Sequence, residues 1–347
     1  MRVRAAPDTM IERLGLLLNR VPTPIAESML GMAIARSLQI AQTTGMLTAL
    51  TEGPRDSTEL AEHLGLQPVA TKLVLDVIVS LGHLEIRPDG RYEMSSRARR
   101  WLDPSAEQYV GDFLADSANF WDWWTSLEAL VRDGRNVEVH EMSADDPKWR
   151  SYIHGQYQLA RLSSDEVARV IPLAPDSRSI LDVAGAHGEV SMAICRRHHH
   201  IKATVVDLPG SAAIGREIVA EAGMSDRVQH VAGDMFEADL GGPHDGALCF
   251  NIVHHLTADR VRDLFARVRK ALRPGAPLCV LDVYKRPEGE QPDANSAIGL
   301  FFHLSSGADL YTTEEISAWL ADAGFGPAHT RTFRTLPGQA LITAKAE

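Results

Sequence analysis

The stretch Leu181–Gly188, which reads LDVAGAHG, decides the fold. It puts an acid, Asp182, near the end of a short apolar run and then turns through small residues into a helical pattern. Small residues in such a turn let the backbone approach a ligand closely, where a bulky side chain would block it. A dinucleotide-binding turn would read G-x-G-x-x-G; here Gly185 and Gly188 are present and two alanines replace the other glycines. The stretch predicts a strand, a turn and a helix with room for a ligand.

Residues 176–347 repeat this alternation of apolar strands and helices. The predicted strands are Ser179–Val183, Ala203–Val206, Val228–Ala232, Gly246–Phe250 and Leu278–Val283. A closing hairpin pairs Thr330–Phe333 with Ala340–Thr343 around the turn Leu336-Pro337-Gly338. Repeated β–α units predict an α/β, Rossmann-like domain, whose parallel sheet is covered on both faces and binds its ligand at the carboxyl ends of the strands.

The predicted strand ends carry side chains that suit an adenosine-like ligand. Asp207, which precedes Leu208, ends the second strand, where an acid can accept both ribose hydroxyls. Asp234 and Met235 follow the third strand, where the carboxylate can accept from an adenine amino group while the methionine packs on the ring. The fourth strand is followed by Asn251 and then by two histidines. Four successive strand ends of this kind predict one ligand site along the sheet edge.

Residues 1–105 read as helices followed by a short hairpin. Apolar residues recur at helical spacing over Met29–Leu50, and the strands Leu84–Arg87 and Arg91–Met94 flank a Pro-Asp-Gly turn. Helix–turn–helix with a β-wing is a winged-helix pattern, which raises the hypothesis of a DNA-binding regulator. The second helix offers little beyond Lys72 to phosphates or base edges. An oligomerisation module is therefore favoured, and its many apolar residues predict a homodimer.

Residues 106–175 read as a helical connector rich in aromatic residues. The densest cluster is FWDWW at Phe120–Trp124, and Trp149, Tyr152 and Tyr157 follow it. Such rings fill cores and interfaces, and they also supply most of the apolar area of a pocket. The core interpretation is favoured, and a wall for a flat aromatic substrate stays open.

Composition excludes several classes of protein. The 347 residues carry a formal net charge of -11, so no global basic field attracts nucleic acid or anionic lipid. No stretch approaches the ~18 apolar residues of a membrane span. Cys195, Cys249 and Cys279 form an odd, sparse set that fits a reducing compartment. With no signal-peptide pattern at the N-terminus, we expect a cytoplasmic protein without a nucleic-acid or membrane partner.

The C-terminal part resembles the class I S-adenosylmethionine-dependent methyltransferases. The whole chain resembles their dimeric small-molecule O-methyltransferase branch, which includes plant phenolic and bacterial natural-product enzymes. Leu181–Gly188 is similar to the glycine-rich first motif, Asp207 matches the ribose-binding acid, and Gly233–Phe236 matches the G-D-M-F motif in full. The resemblance implies S-adenosyl-L-methionine as cofactor, a small-molecule acceptor, and a seven-stranded domain (176–347) preceded by an α-helical winged-helix dimerisation domain.

The resemblance also implies catalytic residues. The branch has a histidine base in an H-D-W sequence, where this chain reads His254-His255-Leu256. Asp282 matches the acid that orients the base, and Asp309 is the nearest match to a second acid, in a segment that lacks the usual arginine. A phenol deprotonates near pH 10, so a histidine with a pKa of ~6.5 can assist as general base.

Two alternatives remain open at this point. His254, His255 and His303 could supply imidazoles to a divalent metal, as in relatives that methylate carbon next to a keto acid. The metal-free base is favoured. A relative that binds the cofactor without transferring its methyl group is the other alternative.

Overall fold

The computed structural model describes residue 7 and residues 9–291, 293–333, 335–336 and 338–347. The chain forms two compact units that divide between Phe120 and Trp121. In the described ranges, no helix is long and apolar enough to cross a membrane.

The first unit is mostly helical. Its helices are α1 (Met10–Leu17), α2 (Thr23–Ile25), α3 (Gly31–Thr43), α4 (Met46–Ala49), α5 (Ser57–Leu64), α6 (Pro68–Ser80), α7 (Ser96–Leu102) and α8 (Gly111–Asp116), with a π-helical turn at Ala26–Leu30 and a 3-10 turn at Ser117–Asn119. Strands β1 (Leu84–Ile86) and β2 (Tyr92–Met94) pair antiparallel as the predicted hairpin.

Local sequence sets the ends of these helices. The Asp56 side chain accepts from two N–H groups at the start of α5, and Gly65 ends that helix in a left-handed conformation. The helical pattern over Met29–Leu50 is not one continuous helix. It breaks between α3 and α4, because Gly45 has a φ of 81° that a helix interior does not allow.

The second unit carries the sheet. Its helices are α9 (Phe120–Trp124, which begins at the division), α10 (Leu127–Asp133), α11 (Lys148–Arg161), α12 (Ser164–Ala168), α13 (Glu189–Arg197), α14 (Pro209–Glu221), α15 (Ala258–Lys270), α16 (Asn295–Ser306) and α17 (Thr313–Asp322), with a 3-10 turn at Val253–His255. Its strands are β3 (Ser179–Val183), β4 (Lys202–Asp207), β5 (Val228–Ala232), β6 (Ala247–Phe250), β7 (Pro277–Val283), β8 (His329–Thr332) and β9 (Gln339–Lys345).

The seven strands form one mixed sheet in the order β5-β4-β3-β6-β7-β9-β8. The first five are parallel, and β8 and β9 form the predicted antiparallel closing hairpin. Pro337 of its predicted turn lies outside the described residues. The chain runs from β3 outward through β4 and β5 and then returns to the other side of β3 with β6. That reversal is the place where open α/β sheets bind ligands.

Two hydrophobic cores cover the two faces of the sheet. Alternate residues of β3 go to opposite sides, so that Leu181 joins one core and Ile180 joins the other. The three cysteines are buried and free, as small apolar residues of these layers. The sheet is therefore sandwiched between helices, and its carboxyl edge is left for the site.

Candidate active site

The turn after β3 is fixed by a buried carboxylate. Asp182 accepts a 2.7 Å hydrogen bond from Ser191 Oγ at the start of α13, and burial raises the pKa of Asp182 to about 7. A Cβ added at Gly185 would come within 2.4 Å of the Asp182 carboxyl carbon. Only glycine fits this position, because the turn packs directly against the Asp182 side chain.

The same turn holds an unusual backbone conformation. Ala184 and Ala186 have φ values of 55° and 43°, and Gly188 has 71°. The left-handed conformation costs roughly 1–2 kcal/mol for a residue with a Cβ, so the two alanines in place of glycine are strained. The turn keeps this conformation because tertiary contacts hold it.

Asp207, at the end of β4, binds that turn. Its Oδ2 accepts from the Ala186 N–H at 2.7 Å, and its Oδ1 accepts from the Leu208 N–H at 2.7 Å. Burial raises the pKa of Asp207, and these two backbone donors oppose the rise. Each carboxylate oxygen can accept a further hydrogen bond, so the side chain suits a diol such as a ribose.

The segment after β5 is held in place by α15. Asp234 Oδ1 accepts from the Phe236 N–H at 2.7 Å. The Met235 carbonyl accepts from Arg267 Nε at 3.0 Å, and the Arg260 guanidinium lies 3.4 Å from the centre of the Phe236 ring. Asp234 and Met235 are thus positioned by fixed contacts at the same sheet edge as Asp207.

His254 and Asp282 meet where β6 and β7 end. His254 Nδ1 lies 2.5 Å from Asp282 Oδ1, and both side chains are buried, 5% and 1% exposed. Asp282 also accepts from the backbone N–H groups of Val253 at 3.0 Å and of Val283 at 2.7 Å. These donors keep Asp282 a carboxylate acceptor, so the Nδ1 atom of His254 carries the proton and the Nε2 atom keeps its lone pair.

Four further side chains lie around this pair, and of these the sequence had linked only His255 with His254. The Phe302 ring of α16 stacks on the His254 imidazole, with centroids 3.6 Å apart and planes at 19°. His255 lies 4.2 Å from His254, and His140 lies 4.4 Å from His255, centroid to centroid. The Tyr152 hydroxyl lies 3.3 Å from His140 Nε2. No local pattern connects Phe302, His140 and Tyr152 with His254, because they come from distant parts of the chain.

Burial keeps two of these histidines neutral. It lowers the pKa of His140 to about 4 and the pKa of His255 well below the usual value, with a smaller contribution from the charge of His254. The Nδ1 atom of His255 is buried without a hydrogen-bond partner. At neutral pH both imidazoles are therefore uncharged neighbours of His254.

The remaining predicted residues lie apart from the His254–Asp282 pair. Asn251 is exposed with a φ of 52°, and its Oδ1 accepts from Gln339 Nε2 at 3.3 Å. Asp309 is exposed and pairs with Lys285 at 3.6 Å. His303 is exposed, and its Nδ1 lies 2.8 Å from the Ala308 carbonyl. Asp309 and His303 line a cavity of about 300 Å³.

The three histidines of the metal alternative are not gathered into one site. His254 and His255 are adjacent, but His303 has the separate backbone contact described above. Throughout the described ranges, no group of three or more His, Cys, Asp or Glu side chains is arranged to hold a metal ion.

Comparisons with known proteins identify the family of this chain. Residues 124–326 match the family model of the O-methyltransferase domain. The 3-hydroxy-5-methyl-1-naphthoate 3-O-methyltransferase of Streptomyces sahachiroi is 28% identical over 93% of this chain and 94% of its own length. The tetracenomycin polyketide synthesis 8-O-methyl transferase TcmO of Streptomyces glaucescens is 28% identical over 90% of this chain and 93% of its own.

A solved structure shows the same fold. Human N-acetylserotonin methyltransferase in complex with SAM superposes with a TM-score of 0.83 at 18% identity, over 99% of each chain. The resemblance inferred from the sequence motifs is confirmed. Because the family model spans more than half of the chain, this chain belongs to the O-methyltransferase domain family and is an S-adenosylmethionine-dependent methyltransferase.

Proposed function

We propose that this enzyme methylates a hydroxyl group of a small aromatic or polyketide-like metabolite, with His254 as the general base. The observation that carries the proposal is the buried 2.5 Å contact between His254 Nδ1 and Asp282 Oδ1 at the sheet edge. It fixes an imidazole whose other nitrogen can accept a proton.

The cofactor would lie along the ends of β3, β4 and β5. Gly185 and Gly188 leave the backbone of the first turn open, Asp207 offers two carboxylate oxygens to the ribose, and Asp234 with Met235 faces the adenine. A Cβ at Gly185 has no room beside Asp182, so the turn lies close against that side chain. The bound cofactor supplies an activated methyl group.

The work left to the protein is to place the acceptor and remove its proton. A phenolic hydroxyl has a pKa near 10, so a positioned imidazole can take its proton as a general base while the oxygen attacks the methyl group. His254 Nε2 takes the proton, and Asp282 stabilises the imidazolium that forms. Asp309 pairs with Lys285 instead, so we assign it no part in this step.

The acceptor class is inferred from relatives and from aromatic residues of the second unit. The Streptomyces relatives are named for a hydroxynaphthoate and for a polyketide product. Trp123 and Trp124 lie 5.7 and 5.9 Å from the Phe301 ring, and Phe302 beside it covers His254. Trp149 is buried in the core, 4% exposed. The rings near Phe301 therefore support a wall for a flat acceptor, while Trp149 supports the core interpretation.

The test is transfer of labelled methyl from S-adenosylmethionine to matched acceptors. Phenolic and polyketide-like compounds should be labelled, and the same compounds with the hydroxyl already methylated should not be. An α-keto acid is tested as the third kind of acceptor. Labelling of that acid, lost on treatment with a chelator, would replace this proposal by metal-assisted C-methylation. Cofactor binding without transfer to any hydroxyl acceptor would favour a non-methylating relative.

We also propose that residues 1–105 form a winged-helix dimerisation domain, followed by a connector over residues 106–175. Its first helices expose nine large apolar side chains, which water does not favour on a free surface. They are Met10, Ile11, Leu14, Leu17, Leu18, Ile25, Met29, Leu30 and Met32, all between 52% and 85% exposed. A homodimer would cover them. Light scattering at micromolar concentration should give twice the 38.0 kDa mass, and a monomer mass would contradict the proposal.

A further inference from the structure

The strained turn after β3 is held at one residue, Ala186, through both its N–H and its carbonyl group. Ala186, at a φ of 43°, donates its N–H to Asp207 Oδ2 at 2.7 Å. Its carbonyl lies 2.8 Å from Nε2 of His230, a residue of β5. Strand β5, which is separated from β3 by β4, thus contacts the turn through the His230 side chain.

The protonation of His230 follows from its partners. A carbonyl only accepts, so Nε2 must carry the hydrogen and donate it to Ala186. The Nδ1 atom is buried without a partner, and burial lowers the pKa of His230. A second proton on Nδ1 would have no acceptor. His230 is therefore a neutral imidazole with one fixed tautomer.

Helix α14 leaves space for this hydrogen bond. A Cβ added at Gly215 would lie 2.3 Å from the Ala186 carbonyl oxygen and 2.3 Å from His230 Nε2. No other residue type fits there while the bond exists. Glycine in a helix interior is otherwise unfavourable. Gly215 therefore lowers the local stability of α14 at the point where the hydrogen bond passes.

We propose that His230 is a positioning residue for the cofactor: its Nε2–H holds Ala186 in the left-handed conformation and so keeps the turn open for the methionine part. The proposal rests on the cofactor site proposed above. His230 touches the turn and not the ligand, and it acts through Ala186. With glycine at 186 the left-handed conformation would be favourable by itself, and the hydrogen bond from His230 would no longer be needed to hold it.

The experiment measures the dissociation constant of S-adenosylhomocysteine by calorimetry in a double-mutant cycle. His230→Asn places its amide near the position of Nδ1 and cannot reach the carbonyl, and we expect about tenfold weaker binding, the order of one buried hydrogen bond. His230→Gln, the matched control, places an amide nitrogen near Nε2 and should stay within about threefold of the wild type. In the Ala186→Gly background, His230→Asn should weaken binding less than threefold.

A simple packing role would give a different pattern. Asn and Gln would then weaken binding alike, and the loss would be the same in both backgrounds; either result overturns the proposal. The KM for the cofactor should rise with His230→Asn while kcat at saturating cofactor changes little. Nitrogen NMR of the wild-type protein provides a measurement without any variant. It should show His230 with its hydrogen on Nε2, and a hydrogen on Nδ1 would also overturn the proposal.

Asp207→Ala separates this inference from the proposed site. If Asp207→Ala leaves the dissociation constant unchanged, the cofactor site itself is wrong. If Asp207→Ala weakens binding and His230→Asn does not, only the role of His230 is wrong.

Discussion

The carboxyl edge of the sheet has two halves that use the same side chain differently. At the ends of β4 and β5, Asp207 and Asp234 accept from backbone N–H groups. At the ends of β6 and β7, Asp282 accepts from backbone N–H groups and in addition contacts the imidazole of His254. The first half shapes a loop, and the second half fixes one titratable group.

The difference has a consequence for function. Asp207 keeps spare lone pairs for a ligand beside its two backbone donors, whereas Asp282 orients the imidazole of His254. Variants of the β3–β5 half should therefore change the affinity for the cofactor, and variants of the β6–β7 half should change turnover. Four predictions test this division.

His254→Ala should have the largest effect. Turnover should fall by ~10²–10⁴-fold, the usual contribution of a positioned base, while the dissociation constant of S-adenosylhomocysteine barely changes. Steady-state kinetics and calorimetry measure the two quantities. His303→Ala is the control, because a metal-free base does not need that residue. If a chelator abolishes activity and His303→Ala does so as well, the metal alternative is right and the base is not.

Asp282→Asn should lower turnover on the order of 10²-fold. Both oxygens of the Asp282 side chain accept hydrogen bonds, including those from the Val253 and Val283 N–H groups. The NH₂ group of an asparagine at this position would therefore face a hydrogen-bond donor. The pH dependence of kcat/KM should also change in Asp282→Asn, since the tautomer of His254 is no longer fixed. Weakened cofactor binding with normal turnover would show that Asp282 belongs functionally to the other half.

Asp207→Ala should weaken cofactor binding by about 1.5–3 kcal/mol, the scale of hydrogen bonds to a charged group. At saturating cofactor, turnover should recover most of the wild-type rate. Calorimetry with S-adenosylhomocysteine gives the first value, and a rate measurement at high cofactor gives the second. A loss of turnover that extra cofactor does not restore would contradict the division of the edge.

Ala184→Gly should have the smallest effect and the opposite sign. Ala184 has a φ of 55°, so glycine removes strain, and the free energy of unfolding should rise by about 0.5–1 kcal/mol after the entropy of the unfolded glycine is deducted. Chemical denaturation measures this change in the free energy of unfolding. Ala213→Gly, at an exposed position of α14, should instead lose about 1 kcal/mol. Equal losses in both variants would mean that the turn is not strained.

The strands were predictable from sequence because burial demands apolar runs. The predictions Ser179–Val183 and Val228–Ala232 coincide with β3 and β5, and the other strands of the sheet agree within two residues at every end. The closing β9 runs on to Lys345, beyond the predicted Thr343. The helix predicted over Met29–Leu50 was less accurate, since apolar spacing continues through Gly45 while the backbone does not.

The contacts of the site were only partly predictable. His254 and Asp282 were paired through the resemblance, and the structure joins them. Asp309, taken from a looser match, pairs with Lys285. The places of Phe302 and His140 beside the base had no signal in the sequence, because a residue's neighbours across the chain are set by packing and leave no periodic pattern.

The sequence by itself determined the α/β fold, the order of the strand-end residues and the cofactor class, since burial and motif spacing act within short segments. Only the tertiary structure decided which rings cover the His254 imidazole and how two alanines are kept at glycine-like angles. Those outcomes depend on side chains far apart in the chain, such as His230 and Ala186, that meet only when the parallel strands align. Local preference at Ala186 alone would favour another conformation, and the contacts of the folded protein override it.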